Sequence, residues 1–218
     1  MEPLLSAVLI SLAGLVLCAA LAMHVVHQER MLLLLYVIQS LSVTGVLGAL
    51  AWHDRLPGLF LASLITLLVK GIAAPTMLSR LLARHTLRPT ASRYLNLPLT
   101  LLVLILLISF AHAAPLAPLA ALARSAPRAP ALLLGSFFVS LFLLINRRGV
   151  LSQIIGMLSL ENSVIALGAL LGVEQAVGLE LGIAFDIILW VSIAAFMVSL
   201  IQRHFGTLDS TALRHLSE

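Results

Sequence analysis

The stretch VLSQIIGMLSLENSVIALGALLGV, residues 150–173, decides the class of this protein. At about 1.5 Å per helical residue it can cross roughly 30 Å of hydrocarbon, and Glu161 is its only charged residue. Across all 218 residues, 61% are hydrophobic and 10% are charged, and the mean hydropathy is +1.12. A soluble domain could not cover so apolar a core with so few charges. The sequence therefore predicts an all-α protein, a polytopic bundle of membrane helices.

Seven apolar runs of membrane-spanning length follow one another along the chain. We place them at about residues 3–25, 31–52, 59–78, 97–114, 130–145, 150–173 and 178–201, of which the fifth is the shortest. No run alternates like a membrane β-strand, so helices must satisfy the backbone in lipid. The first run is too long for a signal-peptide core and no basic residue precedes it, so we expect it to remain.

The basic residues predict the orientation of these spans. Nine arginines fall on one side of a seven-span chain, namely Arg30, Arg80, Arg84, Arg88, Arg93, Arg147, Arg148, Arg203 and Arg214. Three fall on the other side, namely Arg55, Arg124 and Arg128. Because cytoplasmic loops carry the excess of basic residues, we expect the N-terminus outside and the C-terminus in the cytoplasm. The net charge of +4 then reflects topology and anionic lipid, not nucleic acid.

The chain divides into two membrane parts and a tail. The segment PLAPLAALARSAPRAP, residues 115–130, contains four prolines and is expected to be an extended connector. It ends a four-helix part, residues 1–128, and precedes a three-helix part, residues 129–202. A cytoplasmic tail follows at residues 203–218.

Three ionisable residues lie well inside the predicted spans: Lys70, Glu161 and Asp186. Each costs about 2.5–3.5 kcal/mol at a helix centre on insertion scales, so each requires a reason. Lys70 and Glu161 fall near mid-membrane, and Asp186 about 12 Å from the outer face. The functional interpretation is a proton or ion path through the bundle, with Asn162 beside it. The alternative is that they are structural residues, neutral or ion-paired, and that Asn162 joins two helices.

Local sequence around two of these residues predicts their surroundings. In VKGIAAP, residues 69–75, Pro75 has no N–H, so the carbonyl of Gly71 loses its helical partner and a kink is expected beside Lys70. On the sixth span, small residues form one stripe that should pack within the subunit: Ser152, Gly156, Ser159, Ser163 and Ala166. Glu161 points almost directly away from this stripe, toward another helix or another protein.

The remaining candidates for chemistry are weak. Cys18 is the only cysteine, so neither an intramolecular disulfide nor a cysteine metal cluster can form. The histidines lie at span ends or in loops, which argues against haem or metal, and there is no glycine-rich phosphate loop. We therefore expect no cofactor. Arg147 and Arg148 are most simply cytoplasmic anchors that fix the topology.

The segment NRRGVLSQIIGMLSLENSV, residues 146–164, resembles the membrane component E of hydrogenase-4. That family is itself similar, in its last three helices, to the K subunit of complex I and to the C subunit of multisubunit cation/proton antiporters. The resemblance extends to VKGIAAP, to LELGIAFDIILWV at 179–191 and to HFGTLDSTAL at 204–213, and so covers nearly the whole chain.

The resemblance implies a non-catalytic subunit of a complex-I-like assembly in the cell inner membrane, such as a group 4 [NiFe] hydrogenase or formate hydrogenlyase. Its partners would be antiporter-like and other membrane-arm subunits. Glu161 corresponds best to the helix glutamate of the K subunit, and Arg147–Arg148 to its basic pair. The second glutamate of that subunit has no identical match, and Asp186 is the nearest candidate. A purely structural scaffold and a stand-alone cation transporter are the alternative functions, although no inverted repeat favours a transporter.

Overall fold

The computed structural model describes residues 2–84, 93–123 and 125–172, and within these ranges the chain is helical, without β-strands. The helices are α1 (Glu2–Val25), α2 (Glu29–Asp54), α3 (Pro57–Thr66), a π-helix (Leu67–Ala73), α4 (Ala74–Arg84), α5 (Leu97–Ala111), a 3₁₀ turn (Ala114–Leu116), α6 (Pro118–Leu122), α7 (Ala129–Asn146) and α8 (Val150–Leu170). The all-helical prediction is confirmed for these residues. The predicted seventh span, Asp186 and the predicted tail lie outside them.

Five helices in the described part of the chain are long and apolar enough to cross a membrane. They are Glu2–Val25, Glu29–Asp54, Pro57–Arg80, Ala129–Asn146 and Leu151–Leu170. Leu97–Ala111 and Ala114–Leu122 together are also long and apolar enough, and they would make a sixth span if counted as one helix. The two pieces are bent by 48° relative to each other. Each of these helices overlaps one of the first six predicted spans, and the short fifth span is a continuous helix of 18 residues.

The central helices are α2 and α8, which run in the same direction. Glu29 lies beside Gly149 at their starts. Ser40, eleven residues beyond Glu29, contacts Asn162, thirteen residues beyond Gly149. The main apolar core joins residues of both predicted membrane parts, for example Leu9, Val43, Leu133 and Ile165. The two parts therefore pack against each other through a shared core.

Loops that were predicted to share a membrane side do meet in the structure. At one end, the loop between α1 and α2, residues 93–96 and the loop between α7 and α8 come together. Arg147 reaches the carbonyl of Val26 (2.8 Å), and the Tyr94 N–H donates to the carbonyl of Asn146 (3.0 Å). We call this the arginine end. At the opposite end, Glu2, His53 and Ser125 line a common cavity.

The Pro/Ala-rich connector is not extended, which corrects the prediction. It forms the 3₁₀ turn and α6, and Ala123 and Ala126 are buried in the main core. Pro115 and Pro118 occupy early positions of these two short helices, where a missing N–H costs nothing. Proline therefore marks the starts of short helices here. The alanines are small enough for the backbone to lie close against the bundle.

Candidate functional site

Lys70 and Glu161 form an ion pair between the third and the last described membrane helices. Lys70 Nζ lies 3.2 Å from Glu161 Oε2, and the two side chains are 2% and 20% exposed. Glu161 is 11 residues into α8, roughly 17 Å from its start. The sequence placed both residues near mid-membrane but could not predict that they meet. They are the oppositely charged pair around which the site is built.

Lys70 lies in the middle of the π-helix. The Ala74 N–H donates to the carbonyl of Val69, five residues back. This hydrogen bond encloses one residue more than an α-helical bond does, so the turn is wider. The irregularity predicted from Gly71 and Pro75 is present at this position, but it takes the form of a widened turn. A wide turn compensates locally for the N–H that Pro75 lacks. Single π-turns of this kind are frequent at functional sites.

Asn162 joins α8 to α2, one residue beyond Glu161. Its Nδ2 donates a hydrogen bond to Ser40 Oγ (2.9 Å), and both side chains are fully buried. Thr44 in turn donates to the Ser40 carbonyl (2.9 Å). These contacts support the interpretation of Asn162 as a residue that joins two helices.

The small-residue stripe of α8 packs against α7, as predicted. Ser163 and Ser159 exchange hydrogen bonds with Ser136 (2.8 Å) and Ser140 (2.7 Å) of α7. A Cβ atom at Gly156 would lie only 3.1 Å from the Leu144 backbone, so glycine is required for this close approach. The prediction that Glu161 points elsewhere is also confirmed, because it faces the π-helix of the same chain.

Arg147 is the largest fully buried side chain in the described part of the chain. Its guanidinium donates to the carbonyls of Met23 and Val26, at the C-terminal end of α1. A positive charge suits this position, because the last carbonyls of a helix lack intrahelical partners. Burial lowers the pKa of the Arg147 guanidinium to about 10, so it remains charged at neutral pH.

The interpretation of Arg147 and Arg148 as topological anchors did not predict that Arg147 caps α1, because no sequence pattern places Met23 beside residue 147. Arg148 differs from its neighbour, because it lies over the Tyr94 ring at 4.6 Å. At the arginine end, Arg147 is therefore a buried helix cap, and Arg148 makes a cation–π contact.

His24 is a second polar residue whose environment the sequence did not reveal. It was predicted at a span end, but it is buried, with Nε2 3.0 Å from the Val139 carbonyl and its ring stacked on Phe142. No three His, Cys, Asp or Glu side chains within residues 2–84, 93–123 and 125–172 come together as metal ligands.

Comparison of the chain with protein-family models, with curated proteins and with solved structures found no match. The resemblance to hydrogenase-4 component E therefore rests on the sequence motifs.

Proposed function

We propose that this chain is an integral membrane subunit of a complex-I-like, redox-driven assembly of the group 4 [NiFe] hydrogenase or formate hydrogenlyase type. In this proposal it resides in the cell inner membrane, with its N-terminus outside, and contributes to the proton or cation path of the membrane arm. The single observation that carries the proposal is the Lys70–Glu161 ion pair inside the bundle.

A buried ion pair is a costly way to hold two helices together. Desolvation of both charges opposes their attraction, and apolar packing of similar volume is often as stable or more stable. Yet the α7–α8 contact is made with serines, glycine and apolar residues, without any charge. The pair is therefore better explained by the property that apolar packing lacks, which is a titratable proton. The protonation of two groups 3.2 Å apart is coupled, so a charge arriving at one affects the other.

The surroundings support movement of a proton or ion at this position. The π-helix around Lys70 is an element that small rearrangements can alter, because its hydrogen bonds are one residue out of the α-helical pattern. Glu161 retains partial exposure, so one face of its carboxylate is open to a partner helix or to water. In this proposal Asp186, predicted on the seventh span, is a further member of the path.

A structural scaffold that holds antiporter-like subunits is the second candidate function. The paired serines of α7 and α8 favour it, since they make a rigid two-helix unit without any role in transport. In that case the charge pair would contribute to assembly alone.

Neutral substitutions in the intact complex separate the two functions. Glu161→Gln keeps the size and the hydrogen-bonding capacity but removes the titratable proton, and Lys70→Met removes the facing charge. We expect both variants to copurify with their partner subunits, to retain redox turnover and to lose most of the coupled ion uptake in inverted membrane vesicles. Asp54→Asn, an exposed carboxylate at the far end of α2, is the matched control and should couple normally. Wild-type coupling in both variants would establish the scaffold.

A further inference from the structure

Where α2 and α8 pack against each other and against α7, a series of buried polar atoms has no hydrogen-bond partner among the described residues. Near the helix starts these are Glu29 Oε2 and Ser152 Oγ, and deeper they are the Tyr36 hydroxyl, Gln39 Oε1 and Asn162 Oδ1. The ion pair of Lys70 and Glu161 lies at the same depth as the last two. Buried polar atoms without a partner are rare in folded proteins, and ordered water is the usual reason for them.

These atoms lie at successive depths along α2 and α8. Since α2 and α8 run in the same direction, Glu29 and Ser152 lie together at the arginine end. Tyr36 follows about 10 Å further along α2. Its hydroxyl lies beside Ser40 and close enough to Glu161 for an electrostatic interaction. Gln39 and Asn162 are at the level of the ion pair. The atoms thus lead from one end of the bundle to Glu161.

The neighbouring α7–α8 contact provides the contrast. Its deeper hydroxyls, on Ser136, Ser140, Ser159 and Ser163, are all hydrogen-bonded to protein atoms. Both contacts are buried and both involve α8. Of the three serines on the α8 stripe, Ser159 and Ser163 are thus hydrogen-bonded to α7, whereas Ser152, nearest the arginine end, has no partner among the described residues.

Gly149 lies at the arginine end, beside the first of these polar atoms. A Cβ atom there would be 3.2 Å from Ser152 Oγ and 3.7 Å from Glu29 Oε1, so the missing methyl group leaves space directly beside both polar groups. The backbone of Gly149 has φ −81° and ψ 133°, which any residue can adopt. Glycine is therefore required here for space and not for its conformation.

We propose that Glu29 and Ser152, beside Gly149, form a water entry at the arginine end, from which a file of water reaches Lys70 and Glu161 past the Tyr36 hydroxyl. The ligand of this entry is a hydrated proton, held by the Glu29 carboxylate. The inference deepens the proposed function and rests on it for the use of the water. The access of water can be measured without any ion transport.

Silver-ion reactivity of single cysteines tests the route in the full complex in membrane vesicles. Cys18→Ser removes the only native thiol. In this background Ser152→Cys probes the entry, Ser40→Cys probes the depth of the ion pair, and Ser159→Cys is the matched control. All three serines are fully buried, and Ser159 is hydrogen-bonded across the α7–α8 contact. After exposure to Ag⁺, the remaining thiols are labelled with a fluorescent maleimide under denaturing conditions.

We expect Ser152→Cys and Ser40→Cys to lose most of their maleimide signal when Ag⁺ is added at the arginine end, and Ser159→Cys to retain it. Gly149→Ala should protect Ser40→Cys, because its methyl group fills the entry. An unreactive Ser40→Cys, equal reaction of all three thiols, or no protection by Gly149→Ala would overturn the route. Because none of these measurements needs coupling, a coupled Glu161→Gln variant would refute the proposed function and leave this result intact.

Discussion

Asn162 donates a hydrogen bond to Ser40 one residue beyond Glu161, and this contact fixes the level at which α8 meets α2. The same level is where Lys70 reaches the Glu161 carboxylate from the π-helix. A neutral hydrogen bond between α2 and α8 and a charged contact with the π-helix thus lie at the same level of the bundle. The register of α2 and α8 places Glu161 at the depth where Lys70 can reach it.

The ion pair should show strong coupling between its two residues. Lys70→Met and Glu161→Gln each leave one partner of a buried pair behind, whereas the double variant removes both. We expect the double variant to be more stable than the sum of the single losses predicts, by about 0.5–3 kcal/mol. Unfolding of the purified chain in detergent gives the four free energies of unfolding. Additive losses would show that the pair contributes no mutual stabilisation.

Two glycines on membrane helices should respond oppositely to alanine. Gly156→Ala places a methyl group 3.1 Å from the Leu144 backbone and should separate α7 from α8, at a cost of about 1–3 kcal/mol. Gly14→Ala meets no atom within 4 Å and should be neutral or slightly stabilising. Thermal unfolding in the same detergent compares the two. Equal midpoints would contradict the close α7–α8 contact.

The two adjacent arginines should differ in their contribution to stability. Arg147→Met leaves the carbonyls of Met23 and Val26 without their donor, so we expect a loss of about 1–3 kcal/mol. Arg148→Met removes a cation–π contact with the half-exposed Tyr94 ring, which contributes about 0.5–1 kcal/mol. The yield of folded protein and the unfolding midpoint report both changes. A larger loss for Arg148→Met would mean that α1 does not depend on the guanidinium cap.

Tyr36→Phe separates transport from stability. Phenylalanine fills the same space, and the tyrosine hydroxyl makes no well-aligned hydrogen bond to a described residue, so the free energy of unfolding should hardly change. Coupled ion uptake in vesicles should nevertheless fall, because the file of water loses its intermediate hydroxyl. Leu33→Val, a buried apolar change on the same helix, is the control and should leave uptake unchanged. Uptake at the wild-type level in Tyr36→Phe would remove Tyr36 from the route.

The class of the protein and the positions of its described spans followed from the sequence, because the cost of exposing a backbone to hydrocarbon leaves only long apolar helices. The same one-dimensional reasoning located Lys70, Glu161 and the disturbance before Pro75, since a charge or a proline inside an apolar run is conspicuous wherever the helix lies. The small-residue stripe of α8 also gave the correct packing face, because helical periodicity fixes the direction of each side chain from its own helix.

Only the tertiary structure decided which groups meet. The distance between Lys70 and Glu161, the capping of α1 by Arg147 and the contact of His24 with Val139 all join residues more than 90 positions apart. Such contacts depend on helix register, which packing of many weakly specific apolar side chains determines jointly and no local pattern encodes. The connector shows the same limit, since its prolines mark the starts of short helices but cannot reveal that its alanines fit against the core. The sequence thus determined the helices and their charges, and packing in three dimensions determined the site.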